Sequence, residues 1–197
     1  MASGMSLGES FESVLVAAQS GAEWAFSFLY RDLNPRLLRY FASRVPGEAE
    51  DLAIETWLGA ARRIGDFRGN QQQFRAWIFT IAHTRLVQHW RDVRRTPVTA
   101  ADPATLLDRA SPEDVEGGVL DSLAGLEASR EIVRELSFDQ AEVMLLRVLG
   151  GLNVEEVAEI LGKRPGTVRV LQHKALRRLS SSSCALVAVN AALPGRD

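Results

Sequence analysis

The sequence predicts an all-α protein built from two helical domains joined by a flexible acidic linker. Three observations carry that expectation. Apolar residues recur at helical spacing through residues 11–95 and again through 124–183, with no convincing strand alternation. Residues 96–123 instead hold Pro97, Pro103, Pro112 and Gly117-Gly118 among acids, with little apolar content, which is linker composition. Charge comes in blocks. Arg62 to Arg95 carries a net +6, Thr96 to Leu136 a net −6, and Gly162 to Leu179 a net +6, although the whole chain sums to only −2.

Residues 1–10 are small and polar and are expected to be disordered. In "AFSFLYRDLNPRLLRYFASRV", Phe26, Leu29, Tyr30, Leu33, Leu37, Leu38 and Phe41 follow helical spacing. Pro35 inside this stretch either kinks the helix or marks a break. Pro46-Gly47 ends it, and Glu48, Glu50 and Asp51 supply the acidic first turn of the next helix. That helix is expected to run to about Ile64 and to present Leu52, Trp57 and Leu58. "GDFRGNQQ" is a glycine-bracketed loop. After it the helical pattern resumes, with Phe74, Trp77, Ile78, Ile81, Ala82 and Leu86 near one face.

The second domain is punctuated more sharply. A helical pattern running to Leu136 gives way to Ser137-Phe138-Asp139-Gln140, a capping-box sequence. The helix it opens stops at Gly150-Gly151. Asn153, with Glu156 three residues on, opens another whose inner face is Val154, Val157, Ala158 and Leu161. Gly162 suits the left-handed residue that stops a helix, and Pro165 sits where a first turn tolerates proline. The tail, residues 184–197, is apolar and is read either as a frayed last helix or as a docking segment.

Several functions are excluded on composition. Cys184 is the single cysteine, and no Cys/His cluster has zinc-ligand spacing, so neither a disulfide framework nor a metal or other cofactor is expected. The N-terminus lacks a signal-peptide pattern, and the run "CALVAVNAAL" is too short to span a bilayer and is broken by Asn190. A cytoplasmic protein without membrane insertion is expected. His83 and His89 lie six apart on different helix faces, with no nucleophile or ligand set near them. "GDFRGN" lacks the Gly-Lys-Ser/Thr ending of a phosphate cradle. An enzyme is therefore not expected.

The segment "GKRPGTVRVLQHKALRRL" has two sides. At the helical period, Val168, Leu171, Ala175 and Leu179 form one inward stripe. Arg169, His173 and Arg177 form one outward ridge, Lys174 and Arg178 another, and Val170 lies exposed between the cations. A short helix, a tight glycine turn and a basic amphipathic helix make a helix-turn-helix, whose second helix fits the DNA major groove. Cations there neutralise phosphates, and Val170 can meet a thymine methyl. A generic surface helix would explain the charges but not the cap, the turn and the proline together. The first basic block differs. Arg62, Arg63, Arg68, Arg75 and Arg85 mix with Phe67, Phe74, Trp77 and Trp90 around a loop, a pattern suited to unpaired strands. Phe74 and Trp77 also fit plain core positions; Phe67, between Gly65 and Gly69, has less reason to be core.

Taken together, "EAEDLAIETWLGAARRIGDFRGNQQQFRAWIFTIAHTRLVQHWR" resembles region 2, and "FDQAEVMLLRVLGGLNVEEVAEILGKRPGTVRVLQHKALRRL" resembles region 4, of sigma-70-family RNA polymerase sigma factors of the extracytoplasmic-function (ECF) type. The resemblance implies a region 2 bundle and a region 4 helix-turn-helix. It implies core RNA polymerase as partner, the β′ clamp helices meeting Asp51, Leu52, Glu55 and Trp57, and the β flap meeting region 4. Arg63, Phe67, Arg68, Gly69, Asn70, Thr84, Arg85 and Arg91 fall at positions facing the melted −10 element of promoter DNA. Arg164, Thr167, Arg169, Val170, His173, Lys174 and Arg177 fall at those facing the −35 duplex. An anti-sigma factor is the implied regulator. Thr84 stands where relatives often carry Asn, and Val170-Leu171-Gln172 replaces a Ser-Arg-Leu-like run, so promoter sequence stays open. The competing reading, a stand-alone helix-turn-helix regulator, needs a dimerisation element and a sensor module, and the first domain offers no heptad seam. Dependence on core polymerase separates the two.

Overall fold

A computed structural model describes residues 7–95 and 119–181, the side chains of 7–10 and 119–124 apart. The expected linker and the apolar tail thus lie almost wholly outside the described residues. Among the described residues the fold comprises eight α-helices and no strand. They are α1 (Leu7–Gln19), α2 (Glu23–Arg44), α3 (Ala49–Ala61), α4 (Gln71–Arg95), α5 (Val119–Glu135), α6 (Phe138–Val148), α7 (Val154–Leu161) and α8 (Pro165–Ser181). Helix α1 begins at Leu7, inside the stretch expected to be disordered.

The first domain is α1–α4. Pro35 does not end α2; the helix runs from Glu23 to Arg44. The missing N–H at Pro35 is tolerated because Leu29, Leu33, Leu37, Tyr40 and Phe41 are all buried along one side of the same helix. Packing outweighs the lost hydrogen bond. Helices α2, α3 and α4 form the bundle, and α1 closes it, its Phe11 ring 5.7 Å from that of Phe74.

The second domain is α6–α8, preceded by α5. Val143, Met144, Leu145, Leu146 and Leu152 are fully buried, and each such side chain contributes about 1.5–3 kcal/mol by leaving water. At the start of α6, Gln140 Oε1 accepts the Ser137 amide at 3.2 Å. At α7 both halves of the box close: Glu156 N–H donates to Asn153 Oδ1 at 2.8 Å, and Asn153 N–H to Glu156 Oε2 at 2.7 Å.

The two domains pack on each other. Helix α5 lies along α2, so closely that a Cβ at Gly125 would strike the Arg39 guanidinium. Helix α7 lies against α4, where Gln72 donates to Gly151 O at 3.0 Å and to Glu156 at 2.8 Å. Arg36 reaches the Leu149 carbonyl at 3.4 Å. Burial, with the neighbouring charge of Arg75, holds that guanidinium below its ordinary pKa.

Candidate nucleic-acid interface

Helix α8 owes its placement to the turn before it. Gly162 adopts φ 61, ψ 32, the left-handed conformation that a side chain disfavours, and the Lys163 amide turns back to Ala158 O at 2.8 Å. Lys163 Nζ meets Asp139 at 3.0 Å, pinning the turn to α6. Pro165 then opens α8, where its absent N–H costs nothing. Val168, Ala175 and Leu179 are 0–2% exposed against α6 and α7, and Leu171 is half-buried. The opposite side carries Arg164, Thr167, Arg169, His173, Lys174 and Arg177, all exposed, with Val170 at 53% among them. One face is dry and the other is a continuous cationic surface. Arg169 pairs with Glu155 of α7 at 2.7 Å, but both side chains are 61% exposed and water screens the pair.

The loop before α4 is more ordered than its composition suggests. Phe67 is half-buried, its ring 5.3 Å from Phe74 and 5.1 Å from Trp77. Gln19 of α1 donates to the carbonyls of Ile64 and Phe67 at 3.0 and 2.8 Å. Phe67 therefore belongs to an aromatic cluster rather than standing free. Asn70 is the cap of α4: its Oδ1 accepts the Gln73 amide and its own amide donates to Gln73 Oε1, both at 2.9 Å. Gly69 adopts φ +156, a backbone conformation that side chains rarely take, and a Cβ there would also crowd Gln73 and the Phe67 ring. Arg63 and Arg68 are exposed on the loop, Arg68 donating to Gly65 O and Phe67 O. Along α4, Thr84 and Arg91 are exposed; Arg85 is half-buried and reaches Glu55 of α3 at 3.8 Å.

On α3 the residues expected to face the polymerase divide between two faces. Leu52 and Trp57 are 6% and 5% exposed and point into the bundle, where Trp57 Nε1 donates to Asn34 Oδ1 at 3.1 Å. Leu58, expected beside them, is 52% exposed, and Ile54 is 54% exposed. The reason is the helical period. Leu52, Ala53, Thr56, Trp57 and Ala60 make the buried face, so Asp51, Ile54, Glu55 and Leu58 make the opposite one. Ile54 shares that face with Leu58 at i, i+4 and with Asp51 at i, i+3.

Residues 29–96 match the family model Sigma-70 region 2, and residues 126–179 match Sigma-70, region 4. The chain is 40% identical over 168 residues to the ECF RNA polymerase sigma factor BldN of Streptomyces coelicolor; the alignment covers 83% of this chain and 62% of that protein. It is 33% identical over 171 residues to the ECF RNA polymerase sigma factor ShbA of Streptomyces griseus, covering 82% of this chain and 89% of that one. Among solved structures, CnrH in complex with the cytosolic domain of CnrY shares the fold, with a TM-score of 0.55 at 22% identity over 87% of this chain and 96% of that chain. Two such regions in this order define a sigma factor of the sigma-70 family, and the chain belongs to its ECF type. Among the described residues, no helix is long and apolar enough to cross a membrane, and no cluster of His, Cys, Asp or Glu fits a metal ion.

Proposed function

We propose that this chain is a transcription initiation factor that binds core RNA polymerase and carries it to promoters. Region 2 melts and reads the −10 element; region 4 reads the −35 element. The observation that supports this best is α8, where every candidate contact residue from Thr167 to Arg177 is exposed while Val168, Ala175 and Leu179 anchor the opposite side. Arg and Lys on that face neutralise phosphates in the major groove, and Val170 offers an apolar contact to a thymine methyl.

The polymerase-facing surface is proposed to be the outer face of α3, Asp51 and Glu55 flanking Ile54 and Leu58. Leu52 and Trp57 hold that face in position from inside. Arg63, Arg68, Arg85 and Arg91 follow the unpaired strand. Phe67, through its seat beside Trp77, and Gly69 and Asn70, through the loop's shape, set where that strand can pass. Thr84, one turn from Gln88, lies on the same exposed side of α4. The chain itself catalyses nothing in this reading, works in the cytoplasm with the polymerase, and is held in check by an anti-sigma factor.

Transcription in vitro with core polymerase over a library of randomised −35 and −10 elements tests the reading. Core-dependent initiation from a two-element promoter is expected. Tight binding of a palindromic operator by the chain alone, with no transcription when core is added, would overturn it in favour of a stand-alone regulator.

A further inference from the structure

We propose that the cleft between α4 and the start of α6 is a binding site for a small planar anion, a flat aromatic ring carrying one phosphate or carboxylate group, and that the bound anion withholds Arg91 from the unpaired −10 strand. The second half rests on the function proposed above; the first does not.

The helical period assembles one wall of the cleft. His83, Val87, Trp90, Arg91 and Arg94 fall at i, i+4, i+7, i+8 and i+11 of α4, a single stripe ~16 Å long at about 1.5 Å per residue. Phe138, Asp139 and Glu142 of α6 face that stripe, and Leu161 and Lys163 close the side. The enclosed volume is about 320 Å³, at the small end of ligand sites, which suits one mononucleotide or an acid of similar size. The inner end is ionic and already matched. Glu142, 1% exposed, has Arg44 Nε at 2.9 Å and His83 Nδ1 at 3.2 Å, and the Tyr40 hydroxyl donates to it at 3.0 Å.

The outer end is not matched, in two respects. The first is aromatic. Phe138 is 53% exposed, and its ring stands 5.1 Å from that of Trp90 at 60°. The Arg44 guanidinium backs both rings, 4.4 Å from the centroid of Phe138 and 5.2 Å from that of Trp90. The uncovered side of the pair is where a third ring packs, offset or edge-on. The second is charge. Asp139 is paired with Lys163 at 3.0 Å and Glu142 with Arg44, so both acids of the lining are already neutralised. Arg91 and Arg94, one residue and one turn beyond Trp90, are exposed, and neither side chain pairs with an acid among the described residues. Two guanidinium forks beside an open aromatic pair match a carboxylate or phosphate held on a ring, since each fork donates two parallel hydrogen bonds to such a group. A neutral ring would leave the forks unused, and a bare anion would leave Phe138 in water.

Phe138 and Arg94 belong to neither DNA-facing set, whereas Arg91 belongs to the −10 set and also lines the cleft. A guanidinium engaged with a ligand's anion is withheld from the phosphates of the unpaired strand. Occupancy of the cleft therefore lowers initiation, and the chain responds to a small molecule through its own side chains.

The test titrates the full chain calorimetrically with AMP and GMP (a flat base plus phosphate), naphthoate (a flat ring plus carboxylate), adenosine (a ring without charge) and inorganic phosphate (charge without a ring). Saturable binding of a nucleotide or of naphthoate is expected at roughly millimolar affinity or tighter, with adenosine and phosphate each about tenfold weaker or more. Which of the two ringed anions binds better tells which source the ligand has. Arg94→Ala, at an exposed position, should weaken binding about tenfold while the melting temperature holds. Phe138→Leu, which keeps an apolar group over Arg44, should weaken it as well. No saturable binding of any ringed anion, phosphate bound as well as the nucleotides, or full affinity in both variants overturns the site. In transcription in vitro with core, the parent should lose initiation as the bound probe saturates it, and Arg94→Ala should escape that loss. Initiation indifferent to a bound probe overturns the competition for Arg91 and leaves the site standing. Absence of transcription by the parent without any probe would count against the promoter function alone.

Discussion

Removing Arg169 and removing its partner Glu155 should have opposite effects on promoter binding. The two side chains meet at 2.7 Å and are both 61% exposed. A screened pair of this kind is worth about 0.2–1 kcal/mol, so either truncation to alanine should leave the melting temperature nearly unchanged. Arg169→Ala removes a phosphate contact, which lowers the slope of log affinity against log salt by about 0.9 and weakens −35-dependent initiation while core binding persists. Glu155→Ala instead frees Arg169 and removes a carboxylate beside the DNA. Promoter affinity should then rise, by up to about fivefold if the full 1 kcal/mol is released. Holoenzyme titrations of labelled promoter DNA at several salt concentrations, with melting curves on the free proteins, read all of these. Unchanged affinity and salt slope in Arg169→Ala would refute the placement of α8 in the groove. A loss of affinity in Glu155→Ala would show that the ion pair orients Arg169 for DNA rather than competing with it.

Asp51→Arg, Ile54→Asp and Leu58→Asp alter exposed positions on α3, so each should reduce core association in a pull-down without lowering the melting temperature; normal association would remove α3 from the polymerase surface. Trp57→Ala empties a buried aromatic site and strands Asn34, and should destabilise region 2 by about 3–5 kcal/mol, read by chemical denaturation. A loss below 1 kcal/mol would contradict its place in the core. Burial, then the charge and hydrogen bond of Glu142, raise the Tyr40 phenol well above its ordinary value, with Arg44 opposing and His83 alongside. A raised pKa means that stability is complete below the unfolded value of about 10 and declines as pH climbs beyond it. Melting curves between pH 8 and 11 should therefore fall more steeply for the parent than for Tyr40→Phe; parallel curves would dissociate Tyr40 from the alkaline loss.

Local punctuation was legible because it acts over three or four residues. The Asn153–Glu156 box, the Gly162 stop and the Pro165 start occupy their expected places, and Val168, Ala175 and Leu179 form the expected inner stripe. The family segments were readable for the same reason, since motif and spacing carried them. Less was legible where a residue's role depended on distant neighbours. Pro35 reads as a kink or a break, and the break is excluded only by the packing that carries α2 through it. Phe67 looked free until Phe74, Trp77 and Gln19 from α1 enclosed it. Leu58 was grouped with Leu52 and Trp57 by hydropathy, although the helical period sets it on the other face.

By itself, then, the sequence determined the helical class, the stops and starts of α7 and α8, the cationic face of α8 and the division into two basic modules. Each of these follows from backbone hydrogen bonding and side-chain period within one or two turns. Only the tertiary structure decided which face of α3 is free, how the loop before α4 is seated, and that the two modules close on Glu142. Tyr40 and Glu142 are 102 residues apart, and a lone glutamate in the second turn of α6 reads as an ordinary surface acid. It is instead a buried contact, because folding places it among Arg44, Tyr40 and His83, where a charge must be matched by whatever groups the other domain brings to it.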